Sequence, residues 1–267
     1  MMKLRFLLAI ALVAEVHPQV QWTTPVQITH GTGDDTGQTL INSHFSIFFS
    51  FPPRSEWVAF TRTSAGGSTI CLLRSDSLAG AWSDSTYTVS DSGWNCSPSL
   101  ARYYRPSIGE RMMLVWSAGS AASAIYYSSN WGEGWSSPMP VSLEGTVNAS
   151  PQVVAYDSGF GVVWSRDGTI AFSEFSDTGW SPVSYVTSKS DSGNSSPQVR
   201  YVGDYSERGH PLVVWERSKI SDSSHAIAYS ILTDSGWTSP DTIAWTGDNR
   251  NPRFYSVDLA FSFSVSY

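Results

Sequence analysis

Asn95-Cys96-Ser97-Pro98, Asn148-Ala149-Ser150-Pro151 and Asn194-Ser195-Ser196-Pro197 are one phrase written three times, with a looser fourth copy at Asn249-Arg250-Asn251-Pro252. The phrase returns about every 50 residues, and a period of that length filled only with strand signals points to propeller blades rather than helical solenoids. The same grammar follows each copy. A short strand comes first, at 97–104, 150–156 and 196–202. An apolar run ending in an aromatic comes next: Met113-Leu114-Val115-Trp116, Gly161-Val162-Val163-Trp164 and Leu212-Val213-Val214-Trp215, with Trp57-Val58-Ala59-Phe60 as an earlier copy. Uninterrupted apolar runs of this length suit strands buried on both faces. A third strand alternates, as in Ala124-Ile125-Tyr126-Tyr127-Ser128, and a turn then leads to Gly134-Trp135, Gly179-Trp180 or Gly236-Trp237. The fourth strand carries Pro138, Pro182 or Pro240, which a sheet edge tolerates.

The expected fold class is therefore all-β, a β-propeller of about five four-stranded blades. The blades fall at 42–89, 95–142, 148–187 and 194–244, with a partial one at 249–267 whose two strands are expected at 252–257 and 259–264. The segment Trp22-Thr23-Thr24-Pro25-Val26-Gln27-Ile28 repeats the fourth strand before any first strand has appeared. A ring closed by its N-terminal strand explains that order, because closure removes exposed sheet edges. A β-sandwich with the same number of strands is the alternative, and it gives no reason for a repeated four-strand unit.

With 267 residues, 41% of them hydrophobic and 13% aromatic, the chain can bury a sizeable core. The formal net charge is −7, and lysine occurs only at Lys3, Lys189 and Lys219. Nucleic acid and anionic membranes are therefore poor partners. Residues 1–18 read as a secretory signal: Met1-Met2-Lys3-Leu4-Arg5 precedes an apolar run over 6–14 that is too short to cross a bilayer. The mature protein is expected outside the cell or at its surface, as a monomer without membrane insertion. Cys71 and Cys96 are too few and too far apart for a zinc site, and they form either a disulfide or two thiols. No cofactor or metal is expected.

The stretch Ser128-Ser129-Asn130-Trp131-Gly132-Glu133-Gly134-Trp135 resembles the Asp-box, the Ser-x-Asp-x-Gly-x-x-Trp hairpin of the sialidase-like propeller superfamily, with Asn130 in place of the aspartate. Ser173 to Trp180 and Ser230 to Trp237 keep the ends of the motif, while Asp177 and Asp234 occupy the glycine position. The resemblance implies that these turns are structural and lie away from the binding face. It also implies, for an active member, an arginine triad gripping a carboxylate, a tyrosine nucleophile with a glutamate partner, and an aspartate acid/base. Arg62, Arg166 and Arg217 recur at the ends of second strands, with Ala118 in the matching place of the second blade. No tyrosine and glutamate pair is evident.

Antiparallel strands put the loops before first strands and after second strands on one face. That face gathers Asp34 and Asp35 from a loop over 31–40, together with Arg62, Asn95, Asn148, Arg166, Asn194, Glu216, Arg217 and Asn249. These are the expected ligand-binding residues, with the arginines available to an acidic glycan. A plainer role for the asparagines is to hold the local turn, and for Trp116, Trp164 and Trp215 to fill the core between blades. The expected function is a secreted non-catalytic propeller that binds a glycan or a protein surface. A sialidase-like glycoside hydrolase and a purely structural module are the alternatives.

Overall fold

The computed structural model describes residues 28–29, 33–41, 55–75, 82–83, 87–90, 93–105, 107–119, 124–142, 147–156, 159–188, 193–202, 209–218, 224–244, 248–256 and 263–266. Residues 1–30 and 31–267 form separate compact units, and the architecture below belongs to the second. The expected signal segment 1–18 and the expected closing strand, apart from Ile28, lie outside the described residues.

The described residues contain strands and no helix, arranged in five antiparallel sheets. Sheet one is β1 (Asp34–Ile41), β2 (Glu56–Ser64), β3 (Gly67–Ser75) and β4 (Tyr87–Thr88), paired in that order. Sheet two repeats it with β5 (Asn95–Arg105), β6 (Gly109–Ala118), β7 (Ala124–Asn130) and β8 (Met139–Ser142). Sheet three has β9 (Asn148–Tyr156), β10 (Gly159–Arg166) and β11 (Thr169–Ser176), with the short β12 (Gly179–Trp180) and β13 (Ser184–Tyr185) both pairing with β11. Sheet four is built likewise from β14 (Asn194–Val202), β15 (His210–Ser218), β16 (His225–Thr233), β17 (Gly236–Trp237) and β18 (Asp241–Ala244). The last sheet pairs β19 (Arg253–Ser256) with β20 (Phe263–Ser266). Neighbouring sheets meet through their first strands, β1 against β5, β5 against β9, β9 against β14 and β14 against β19.

Two sequence expectations shift. Residues 34–41 are not part of a loop: they form β1 and pair with β2, from Asp34 opposite Thr63 to Ile41 opposite Trp57. The alternation there is broken by Gly37, so it does not read as a strand in sequence. The final strand lies at 263–266 rather than 259–264, in register with β19 through Arg253 and Ser266.

The apolar runs form second strands buried on both faces, as β10 shows with Phe160, Val162, Val163 and Trp164 all shielded from solvent. Three clusters fill the spaces between consecutive sheets, one for each neighbouring pair among the first four. Trp116, Trp164 and Trp215 are among the largest fully buried side chains. At about 150–250 Å² of buried area each, such rings contribute on the order of 4–6 kcal/mol apiece before ordering entropy is subtracted.

The Asp-box-like turns do structural work. Ser128, Ser173 and Ser230 are buried and donate to the main-chain oxygens of Ser136, Ser181 and Thr238 at 2.7, 2.8 and 2.8 Å. Asn130 accepts from the Gly132 amide at 2.8 Å, the role the aspartate would play. Trp135, Trp180 and Trp237 then pack edge-on against Trp57, Tyr127 and Phe172, joining a ring of one sheet to a ring of the adjacent sheet. Cys71 is buried, Cys96 is exposed, and both are free thiols.

Candidate active site on the axial face

Each first strand makes the same irregularity near its start. Gly37, Ser97, Ser150, Ser196 and Asn251 have positive φ, at 61°, 54°, 52°, 51° and 53°. In the first four sheets the pairing register slips at that point, between Thr36 and Thr39, Cys96 and Ser99, Ala149 and Gln152, and Ser195 and Gln198. Each slip is a β-bulge, which bends the strand and re-aims its side chains. The proline that follows in the last four copies has no amide to leave unpaired there. The five positive-φ positions converge on one polar opening of about 210 Å³, where Gln38, Gln152, Gln198 and Arg253 join the serines in the lining.

The asparagine two residues before each bulge is an internal clasp. Asn95, Asn148 and Asn194 are buried, and their Oδ1 atoms accept from the indoles of Trp116, Trp164 and Trp215 at 3.0, 2.9 and 2.8 Å. The Asn95 and Asn194 amides donate across to the preceding sheet, to the carbonyls of Ser68 and Gly168. Asn249 repeats the crossing through its backbone, donating to the His225 carbonyl at 3.0 Å. These amides therefore join sheets beneath the face.

Counting back from the bulge makes Asp35 the fifth copy of this position, with Phe60 in the place of the tryptophan. With no indole to receive, Asp35 turns to Arg62, which donates from Nε and Nη2 to the two carboxylate oxygens at 2.8 and 3.0 Å. This bidentate bond holds the Arg62 pKa above its ordinary value, against a smaller lowering by burial. Asp34 is exposed beside it, opposite Thr63.

Glu216 is the second departure from the repeat. Its equivalents on the other second strands are Thr61, Ser117 and Ser165, all short hydroxyl residues. Glu216 is buried, yet its Oε1 reaches the next sheet to accept from the Asn251 amide at 2.6 Å, while Oε2 accepts from the Ser195 hydroxyl at 3.2 Å. Each carboxylate thus lies next to a residue that lines the opening, Asp35 two residues before Gly37 and Glu216 bonded to the Asn251 amide, without itself being part of the lining.

Arg62 is held by Asp35, whereas Arg166 lies over the Tyr185 ring on the outer row of its own sheet, 6.0 Å from the centroid. Arg217 stands opposite Asn194 in the ladder. Among the described residues no group of three or more His, Cys, Asp or Glu side chains is placed to hold a metal.

Compared with protein-family models and with curated protein sequences, the chain matches none. Solved structures do resemble it. An α-L-arabinofuranosidase from Podospora anserina, in complex with cellotriose, is 16% identical, with a TM-score of 0.50 over 80% of this chain and 70% of that one. The catalytic domain of an α-L-arabinofuranosidase from Coprinopsis cinerea is 15% identical, covering 83% of this chain and 77% of that one at a TM-score of 0.49. An endo-arabinase from Bacteroides thetaiotaomicron is 12% identical, covering 79% and 84%, with a TM-score of 0.45. The likeness is one of fold. It lies with propeller-like glycoside hydrolases, and the sialidase family itself finds no support. The expectation of a non-catalytic module is corrected with it, because the Podospora anserina structure that the chain resembles is that of an α-L-arabinofuranosidase.

Proposed function

We propose that the chain is a glycoside hydrolase that takes its glycan at the axial opening and uses Asp35 and Glu216 as its two carboxylates. The observation that carries this reading is that two departures from the repeat place a carboxylate next to residues lining one polar opening, Asp35 two residues before Gly37 and Glu216 on the Asn251 amide. Glycosidic cleavage ordinarily needs such a pair, one to protonate the leaving oxygen and one to activate water or stabilise the oxocarbenium-like transition state. Asp35, paired with Arg62, is the charged member. Glu216 has partners for either protonation state: the Asn251 amide donates to Oε1 throughout, and the Ser195 hydroxyl can donate to a carboxylate or accept from a carboxylic acid at Oε2. The reading includes a ring closed through 22–28 and export guided by 1–18.

Arabinose-containing glycans are the first substrates to try, since the similar Podospora anserina enzyme is named for arabinose, and xylo-oligosaccharides serve as a second set. Product release from arabinan, arabinoxylan and xylo-oligosaccharides should be measured for the full chain, Asp35→Asn and Glu216→Gln. Each variant should lose about 100-fold or more in kcat while keeping its near-UV circular dichroism. A wild-type chain that releases nothing from any of these, or variants as active as it is, would overturn the reading.

A further inference from the structure

Immediately before the clasping residue of each sheet lies a rim position, occupied by Asp34, Trp94, Val147, Gly193 and Asp248 in turn. Trp94 is 58% exposed, an unusual setting for so large a ring. Its backbone is held in place: its carbonyl accepts from the Gly119 amide at 2.8 Å, and the carbonyl of neighbouring Gly93 accepts from the amide of Ser68 in sheet one at 2.6 Å. Beside it opens a second cavity of about 280 Å³, lined by Trp94, Trp116, Tyr126, Ala118, Ala124 and Gly119, among others. The repeat explains why the space exists. Sheets one, three and four carry Arg62, Arg166 and Arg217 where sheet two carries Ala118.

We propose that this cavity is a subsite for one neutral sugar ring, belonging to the part of the glycan that extends from the axial opening across sheet two. The inference rests on the glycan-cleaving reading for the continuity of the chain, while the recognition itself stands on the cavity. Its volume sits near the lower end of the range for small-molecule sites, about 300–1,000 Å³, which suits one ring rather than several. Among the described residues, none that lines it is charged. An exposed indole presents a negatively polarised face to the positively polarised C–H bonds of a sugar ring. Tyr126, stacked at 6.2 Å on Trp116, adds a second aromatic wall, and its hydroxyl together with main-chain groups can meet the sugar hydroxyls.

Calorimetric titration of the full chain with xylohexaose, arabinohexaose, xylose and arabinose tests the subsite. Trp94→Ala and Ala118→Arg, the latter restoring the repeat's arginine into the cavity, should each weaken binding of at least one hexasaccharide tenfold or more, with no matching loss for the monosaccharides. Trp94→Phe should recover most of the affinity. Unchanged hexasaccharide binding by both variants, or no hexasaccharide binding by the wild type, would overturn the proposal. The two readings fail separately: Trp94-dependent binding without any cleavage leaves the subsite and removes the hydrolase, whereas cleavage with equal KM for Trp94→Ala at every chain length does the reverse.

Discussion

Asn148 and Trp164 meet side chain to side chain inside the third sheet, with the indole Nε1 donating to Oδ1 at 2.9 Å and neither residue reached by solvent. The same pair is formed by Asn95 with Trp116 and by Asn194 with Trp215. Sheet one changes both partners together, to Asp35 and Phe60. The paired change has a physical reason. A carboxylate without the indole donor must find another cation or donor, and Arg62 supplies it; phenylalanine in turn has no N–H to leave unsatisfied.

Replacing Asn148 by leucine should therefore cost about 1–3 kcal/mol in denaturant unfolding, because it strands the Trp164 N–H in the core. Adding Trp164→Phe should recover part of that loss, since the stranded donor disappears. A double variant less stable than the sum of the single ones would show that the bond is not what couples these residues.

The bulge makes a different prediction at Ser150, whose φ is 52°. Glycine there should be neutral or stabilising by up to about 1 kcal/mol, whereas valine, β-branched and poorly accommodated at positive φ, should cost about 1–3 kcal/mol. Thermal or urea unfolding of the two variants checks both signs. Equal stability of Ser150→Gly and Ser150→Val would remove backbone strain from the account.

The repeat was readable because the Asn-x-Ser-Pro phrase marks one backbone event, a bulge entered from a buried asparagine, in three sheets. The Trp that ends each second strand was readable for the same reason: an apolar run buried on both faces has few substitutes. The first sheet was not, because Asp35-Thr36-Gly37-Gln38 keeps the bulge geometry with none of the phrase's letters. Its asparagine became an aspartate, its serine a glycine and its proline a glutamine. Glu216 was picked out by position alone, with no sequence signal that its carboxylate crosses to Asn251. Trp94 was passed over because a tryptophan beside the phrase looks like one more core ring, and only its exposure tells otherwise.

Asp248 gives the pH dependence. Its hydrogen bond with His225, followed by that with Arg250, lowers its pKa to about 2, from 3.8. A carboxylate whose folded pKa is depressed contributes stability that is fully present above the unfolded value and is lost as pH falls toward the folded one. The chain should therefore lose stability between about pH 4 and pH 2, and Asp248→Asn should flatten that part of the curve. Parallel curves for the two proteins across this window would exclude Asp248 as a contributor.

Glu216 separates structure from chemistry. In Glu216→Gln the amide oxygen can still accept from the Asn251 N–H, and the amide nitrogen can donate to the Ser195 hydroxyl, which turns from donor to acceptor. Both bonds survive in altered form, so the variant should stay within about 1 kcal/mol of the wild type. In Glu216→Ala the Asn251 amide loses its partner at 2.6 Å and a void opens between sheets four and five. That variant should lose roughly 1.5–3 kcal/mol, the size expected for a lost hydrogen bond to a charged group together with lost packing. Equilibrium unfolding of the pair establishes the difference. If Glu216→Gln were as destabilised as Glu216→Ala, the charge itself would be holding the sheets together, and the loss of activity expected for that variant would have to be read from its folded fraction alone.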